Sequence, residues 1–175
     1  MGCDIHLYME RRLKDRWVVV NAPAHEGELD YQKEYPWGAY TPVNHMEELT
    51  QAVAPLEERV PTTAHEWAFG RNYDAFGRLS GVRRDNEYRE ANGIPEDISA
   101  QVWTEWGESA EGSSDWHTPT HWTLEDLDEA HMEAAEDPDG YGRARITELL
   151  QEMWRVAKEY NLEPGDVRIV LWYDN

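Results

Sequence analysis

The sequence contains little cysteine, lysine or phenylalanine, and it has no long apolar run. Its 175 residues include a single cysteine, Cys3, which excludes an internal disulfide framework. Lysine occurs only at positions 14, 33 and 158, and 16 basic residues face 36 acidic ones, giving a net charge of −20. No apolar segment approaches the roughly 18 residues that a membrane span needs. We therefore expect a cytoplasmic protein that binds neither membranes nor nucleic acid directly, because like charges repel.

Several common catalytic signatures are also missing. The chain has no phosphate-binding G-x-x-x-x-G-K, no dinucleotide-binding G-x-G-x-x-G, no H-E-x-x-H, no G-x-S-x-G and no cysteine pair for zinc. The acidity itself has three interpretations: a solvated surface, adaptation to salt, or mimicry of the phosphates of DNA. The first is the usual reason for runs of charge, and it predicts carboxylates that are dispersed over the surface.

The length and the apolar content indicate one domain over residues 1–175, with about 40% hydrophobic residues available for its core. Nine tryptophans and nine tyrosines stand against two phenylalanines. Because tryptophan and tyrosine each carry a polar group, they are common where one edge of a ring meets water. Most are still expected in core packing, and the aromatic-rich segment 21–42 is predicted to be a lid or an interface arm.

Period-two alternation identifies the predicted strands. In residues 3–10, cysteine, isoleucine, leucine and methionine alternate with aspartate, histidine, tyrosine and glutamate. Residues 17–20 are predicted to be a second strand that pairs with 3–10 in a hairpin. Residues 167–172 are predicted to be a terminal strand. We predict that the terminal strand lies beside the N-terminal one.

Capping residues and helical spacing predict about five helices. They are expected near residues 44–54, 72–83, 99–107, 123–135 and 142–160. The last of these has the clearest apolar stripe, which should pack across the sheet. The predicted fold class is therefore α+β, with a small sheet that pairs the N-terminal hairpin with the C-terminal strand under about five helices.

A candidate metal site begins with Asp4 and His6, which leave the same face of a strand about 7 Å apart. Carboxylate and imidazole are suitable ligands for Zn²⁺ or Mn²⁺. His121 and Asp174 are the candidates for the remaining ligands. The alternative is that Asp4 and His6 are simply hydrogen-bonded on the polar face of an edge strand.

A candidate anion site comprises Arg71, Asn72 and Tyr73, at the start of a predicted helix. The guanidinium and the free N–H groups of the helix N-terminus would bind a phosphate or a carboxylate. The alternative is that Arg71 pairs with one of the many acidic side chains.

Four segments together resemble a group of proteins encoded by tailed bacteriophages and prophages. They are MGCDIHLY at the start, GRNYDAFGRLSGVR at 70–83, GIPEDIS at 93–99 with HWTL at 121–124, and VRIVLWYDN at the end. The resemblance implies a phage origin and a location in the host cytoplasm, and it implies no activity. The group carries a Gly-His-Ser-His-Ser run where this chain has Asp115 to His121, so His121 matches better than His117.

Three functions follow as hypotheses. The first is an accessory phage protein that binds a host factor or a small defence-related ligand, with a host protein or a small anion as its partner. The second is a small metal-dependent hydrolase or nucleotide-processing enzyme built on Asp4, His6, His121 and Asp174. The third is an acidic inhibitor that mimics DNA.

Overall fold

The fold is α+β, with an antiparallel sheet and helices. The computed structural model describes residues 4–22, 60–67, 69, 72–82, 88–110, 117–134 and 141–174. The strands are β1 (Asp4–Leu13), β2 (Arg16–Val20), β3 (His117–Thr123) and β4 (Val167–Asp174). The helices are α1 (Tyr73–Ser80), α2 (Ala100–Ala110), α3 (Leu124–Glu133) and α4 (Tyr141–Tyr160), and a short 3₁₀ turn, Pro164–Asp166, precedes β4.

The order of the strands in the sheet is β2-β1-β4-β3, and all three pairings are antiparallel. Strand β1 pairs with β4 from Asp4 opposite Asp174 to Arg11 opposite Val167. The prediction that the C-terminal strand lies beside the N-terminal strand in one sheet is therefore confirmed. This pairing brings the start of β1 and the end of β4 together at one end of the sheet.

The described residues form four α-helices, whereas about five were expected for the whole chain. Four predicted helices are present with bounds close to those expected. The fifth, near residues 44–54, lies outside the described residues. Among the described helices, none combines the length and apolar character needed to cross a membrane.

Strand β3 was not predicted, because Pro119 interrupts its sequence. The pairing of β3 with β4 shifts register between His117 and Thr120, and Thr118 adopts a positive φ of 52° at that shift. A bulge of this kind accommodates a proline, which cannot donate a ladder hydrogen bond. The carbonyl of Pro119 accepts a hydrogen bond from the N–H of Gly93 at 3.0 Å, which connects this strand to the neighbouring irregular segment.

The first face of the sheet carries the larger apolar core. Alternate residues of β1 and β4, such as Leu7 and Ile169, are fully buried beneath α1, α3 and α4. Helix α4 contributes the predicted stripe, from Ile146 through Met153 to Ala157. This burial explains why the 3.6-residue period of that segment was so clear.

One glycine is required where α1 and α4 meet. A Cβ atom at Gly142 would lie 1.9 Å from Oδ2 of Asp74 and 2.7 Å from its Cβ. Asp74 is also fixed by a 3.1 Å ion pair with Arg78. Only glycine permits this approach, because the whole Asp74 side chain would otherwise have to move.

The second face of the sheet has a smaller cover. Tyr8, Val170 and Trp172 project from the sheet into a buried cluster with Val102 of α2 and Ala64. This cover is made by α2 and by two irregular segments, 60–67 and 92–99. The candidate site lies at its margin.

Candidate functional site

The candidate site lies at one end of the sheet, where the start of β1 pairs with the end of β4. His6 lies opposite Trp172 in the register of β1 and β4, and its Nε2 is 3.5 Å from Oδ2 of Asp174. The His6 side chain is 18% exposed and that of Asp174 is 32% exposed. The strand pairing thus brings together two residues that are 168 positions apart in the sequence.

Glu66 completes the cluster from an irregular segment. Its Oε1 lies 2.5 Å from Nδ1 of His6 and accepts a 3.2 Å hydrogen bond from the hydroxyl of Tyr8. Because a carboxylate only accepts, Nδ1 of His6 is the donor. We call His6, Glu66 and Asp174 the His6 cluster.

Backbone pairing holds Glu66 in this position. Strand β2 ends opposite Met9, and beyond it the N–H of Trp67 donates to the carbonyl of Leu7 at 2.8 Å. Asn21 fixes the same segment by accepting from the N–H of His65 and donating to the carbonyl of Thr63. The segment therefore continues along β1 where β2 stops, which directs Glu66 to His6.

Buried aromatic rings form the base of the cluster. The ring of Trp172 stacks with Tyr8 at 5.0 Å and with His6 at 6.0 Å between centroids. Trp106 of α2 meets Trp172 edge-on at 5.2 Å. Trp172 is fully buried and Tyr8 is 3% exposed. Since aromatic rings pack rigidly, they hold the imidazole in a defined orientation.

The carboxylates set the protonation of the site. Burial by itself lowers the pKa of His6, but the hydrogen bonds and charges of Glu66 and then Asp174 raise it above the ordinary value. Burial raises the pKa of Tyr8, and the charge of Glu66 adds to that rise. His6 is therefore the proton-binding group and Tyr8 a neutral hydroxyl donor.

A charged network lies four residues further along β1 on the same face. Nε of Arg168 is 2.6 Å from Oε2 of Glu10, and its Nη1 is 2.6 Å from Oδ1 of Asp97. Glu10 also accepts from the N–H of Ser99, and the guanidinium lies 4.0 Å from the ring centre of Trp17. Burial by itself raises the pKa of Asp97, but its bonds with Arg168 lower it below the ordinary value. The network attaches the start of α2 to the sheet.

His121 lies apart from the His6 cluster. It is opposite Val170, so two strand spacings and a two-residue offset separate its backbone from that of His6 by about 12 Å. Its Nδ1 is 2.9 Å from the carbonyl of Gly93, and its N–H donates to Asn92. His121 therefore fastens the 92–93 segment along β3. His117 stacks on Tyr173 at 5.9 Å.

Of the four predicted metal ligands, the structure brings two side chains together, those of His6 and Asp174. Asp4 occupies the register position opposite Asp174. Among the described side chains, no group of three or more histidine, cysteine, aspartate or glutamate residues is arranged to hold a metal ion.

The predicted anion site is described only in part, because Arg71 lies outside the described residues. Asn72 is the N-cap of α1, and its Oδ1 accepts from the N–H of Ala75 at 3.0 Å. Tyr73 packs edge-on against Phe76 at 5.7 Å. Asp74 lies in the first turn of α1, where its negative charge interacts favourably with the positive end of the helix dipole.

Sequence reasoning missed Glu66, Tyr8 and the Arg168 network. Glu66 follows no periodic pattern, and no local signal in the sequence locates it. The alternation did place Tyr8 and Glu10 on the face of His6. The described surface also has a hollow of about 540 Å³ at the β1–β2 turn, lined by Leu13 to Arg16, at the far end of β1 from His6.

No family model, curated protein or solved structure matches this chain. The geometry of the His6 cluster is therefore the main basis for a functional proposal.

Proposed function

We propose that the protein is an accessory protein of the tailed-phage type, which acts in the host cytoplasm by binding a host protein at the His6 cluster. The observation that supports this is the partly exposed imidazole held between Glu66 and Asp174 above buried aromatic rings. Polar groups on a rigid apolar base are typical of recognition sites. The resemblance of four sequence segments to phage proteins supports the biological setting.

The charges favour a cationic group on the partner. Two carboxylates accompany one imidazole in the cluster, and the whole chain carries −20. Such a field attracts a lysine or arginine side chain and increases the rate of encounter, an effect that salt weakens. A host protein with a basic surface segment is the class of partner that fits.

The test is capture from host lysate in a chelating buffer with the full chain as bait. We expect the double variant Glu66→Gln with Asp174→Asn to lose a protein that the parent captures. The matched control is Glu125→Gln with Glu129→Gln, which removes the same charge from exposed positions on α3. Equal capture by the parent and the His6-cluster variant would refute the proposal.

The convergence of His6 and Asp174 also supports a second function, a small metal-dependent hydrolase or nucleotide-processing enzyme. A histidine and a carboxylate are two of the three protein ligands that a hydrolytic zinc site usually has. We expect hydrolysis of nucleotides by the Zn²⁺- or Mn²⁺-loaded protein to require His6. Activity that persists in His6→Gln would remove this alternative.

A further inference from the structure

We propose that the exposed face of α2 is a docking surface for a basic protein segment, with an arginine side chain of that segment stacked on the indole of Trp103. The inference rests on the proposed function, because it assigns a second contact surface to the same cationic partner. The surface comprises Ala100, Trp103, Thr104 and Gly107, which we call the α2 platform.

The first observation is the exposure of Trp103. This residue is 54% exposed, whereas Val102 beside it is fully buried and packs against the sheet. Within the described residues, the Trp103 indole makes no recorded hydrogen bond or ring contact. Residues three and four apart share a face of a helix, and no member of the α2 platform is buried. One side of α2 therefore covers the sheet, while the other presents a large aromatic ring to solvent.

The second observation is the glycine that follows Trp103 by one turn. Long side chains of a helix point back towards its N-terminus, so a side chain at position 107 would lie against the Trp103 ring. Glycine is unfavourable inside a helix. A Cβ atom at Gly107 would nevertheless meet nothing within 4 Å, so no close packing requires a glycine here. Its effect is to leave the ring of Trp103 open to a ligand.

The third observation is the charge around this face. Residues 90–116, which include α2, contain seven aspartates and glutamates but no lysine or arginine. One of them, Glu105 on α2, raises the pKa of Tyr8 through its charge. Trp106, about 4.5 Å further along the helix axis than Trp103, contacts the Trp172 ring beneath the His6 cluster. An open aromatic ring in such a field favours a cation, whereas a second copy of this chain would bring a further charge of −20.

The fourth observation is the way in which the protein covers other tryptophan rings. The guanidinium of Arg89 lies 3.7 Å from the ring centre of Trp122, and that of Arg168 lies 4.0 Å from the ring centre of Trp17. Each of these guanidiniums also contacts an aspartate. Tryptophan is the strongest cation–π ring, and a planar guanidinium stacks on it better than an ammonium does. An arginine of the partner would thus complete at Trp103 an arrangement that the fold already uses twice.

The first experiment titrates the ¹⁵N-labelled full chain at low salt with a blocked peptide of alternating arginine and glycine. The nine tryptophans give separate indole N–H signals, and that of Trp103 is the one missing in Trp103→Phe. We expect the Trp103 signal to shift and the Trp154 signal to stay. Trp154 is the matched control, because it is 44% exposed on α4 and has Lys158 one turn further on. A peptide of alternating glutamate and glycine should move neither signal.

The second experiment measures affinity from the fluorescence anisotropy of the dye-labelled arginine peptide. Trp103→Leu should weaken binding about 2–30-fold, the range expected for one cation–π contact, and Trp103→Phe should weaken it less. Gly107→Gln should also weaken binding because its side chain covers the ring, whereas Gly107→Ala and Trp154→Leu should bind like the parent. Replacing the arginines of the peptide by lysines should lower affinity for the parent.

Three results would overturn the proposal: an unmoved Trp103 signal, an equal shift at Trp154, or unchanged affinity in Trp103→Leu. A parent dimer that Trp103→Leu dissociates in sedimentation would also overturn it, because the α2 platform would then bind a second copy. The double variant Glu66→Gln with Asp174→Asn separates this inference from the proposed function. Loss of peptide binding in that variant alone would refute the α2 platform, and loss in Trp103→Leu alone would refute binding at the His6 cluster.

Discussion

The two faces of the sheet are covered by different kinds of interaction. On the first face, α1, α3 and α4 bury a continuous apolar cluster. Its polar groups include paired hydroxyls and a neutral imidazole, together with the Asp74–Arg78 ion pair and the Arg11 guanidinium, which lies 4.1 Å from the ring centre of Tyr160. On the second face, the cover is fixed by charged contacts that centre on Arg168 and His6. Apolar burial is non-directional, whereas charged contacts depend on geometry. The second face is thus better suited to hold side chains in set positions.

His131 is a titratable side chain on the first face, and both of its ring nitrogens are hydrogen-bonded. The hydroxyl of Thr147 donates to the carbonyl of Arg143 at 3.0 Å, so it accepts from Nε2 of His131, also at 3.0 Å. Nδ1 of His131 must then accept from the hydroxyl of Tyr88 at 3.0 Å. Burial lowers the pKa of His131, and the charge of Arg143 lowers it further. The structure thus lowers the pKa of this histidine, whereas it raises that of His6.

The largest expected effect is the loss of Arg168. Glu10 is fully buried, so Arg168→Met leaves an unpaired charge inside the protein and should lower the free energy of unfolding by about 3–5 kcal/mol. Adding Glu10→Gln should recover part of this loss, because the buried charge is gone. Urea unfolding measures both. The control Arg155→Met breaks two exposed ion pairs on α4 and should cost about 0–1 kcal/mol.

Arg168→Met should also disturb the His6 cluster, since the network fixes the start of α2 and hence Trp106 against Trp172. If the single variant were as stable as the parent, the distinction between the two faces would fail.

A smaller effect is expected on the first face from Tyr88→Phe. The change leaves Nδ1 of His131 buried without its donor, which should cost about 1–3 kcal/mol of unfolding free energy. Tyr160→Phe is the control, because the Tyr160 hydroxyl makes no recorded hydrogen bond within the described residues, and its change should stay within about 0.5 kcal/mol. Chemical denaturation at neutral pH is the measurement. Equal costs in the two variants would contradict the hydrogen-bond chain.

The two histidines should change stability with pH in opposite directions. The pKa of His131 is lowered on folding, so its contribution is present above the unfolded value of about 6.5 and declines as pH falls below it. The pKa of His6 is raised, so its contribution is present below about 6.5 and declines as pH rises through the folded value.

Unfolding of chelator-treated protein between pH 5 and 8 measures both contributions. Relative to the parent, His131→Gln should flatten the loss of stability at acid pH. His6→Gln should be most costly at acid pH and least costly at alkaline pH. Parallel profiles for the two variants would show that the environments of the two histidines do not differ as described.

The difference between the faces also explains what could be predicted from the sequence. Alternation in residues 3–10 and the stripe of α4 were predictable because each buries one apolar side, and burial imposes a period. Their assembly with the C-terminal strand followed from the lack of another partner. Glu66 was not predictable, because the backbone of Trp67 and the side chain of Asn21 place it through long-range hydrogen bonds that leave no local pattern.

His121 illustrates the opposite problem. Its residue type suggested a metal ligand, yet in the structure it binds the 92–93 segment and keeps that segment on β3. The bulge at Thr118 that positions this strand depends on tertiary pairing with β4. Residue type gave candidate ligands, whereas the strand register decided which of them meet.

The smallest expected effect concerns the acidic helix α3, where we predict no mimicry of DNA. A mimic needs carboxylates in rows at a spacing like that of phosphates, about one charge per 1.7 Å of axis. In α3, Asp126 instead lies 3.7 Å from Arg89 and its N–H is capped by Thr123, and Glu125 also serves the helix dipole. Neutralising Glu125, Asp126, Asp128 and Glu129 together should therefore leave capture of host proteins unchanged at low and high salt. Salt-sensitive capture of a DNA-binding host protein that is lost in this variant, but kept when Glu66 and Asp174 are neutralised, would move the functional surface from the second face of the sheet to α3.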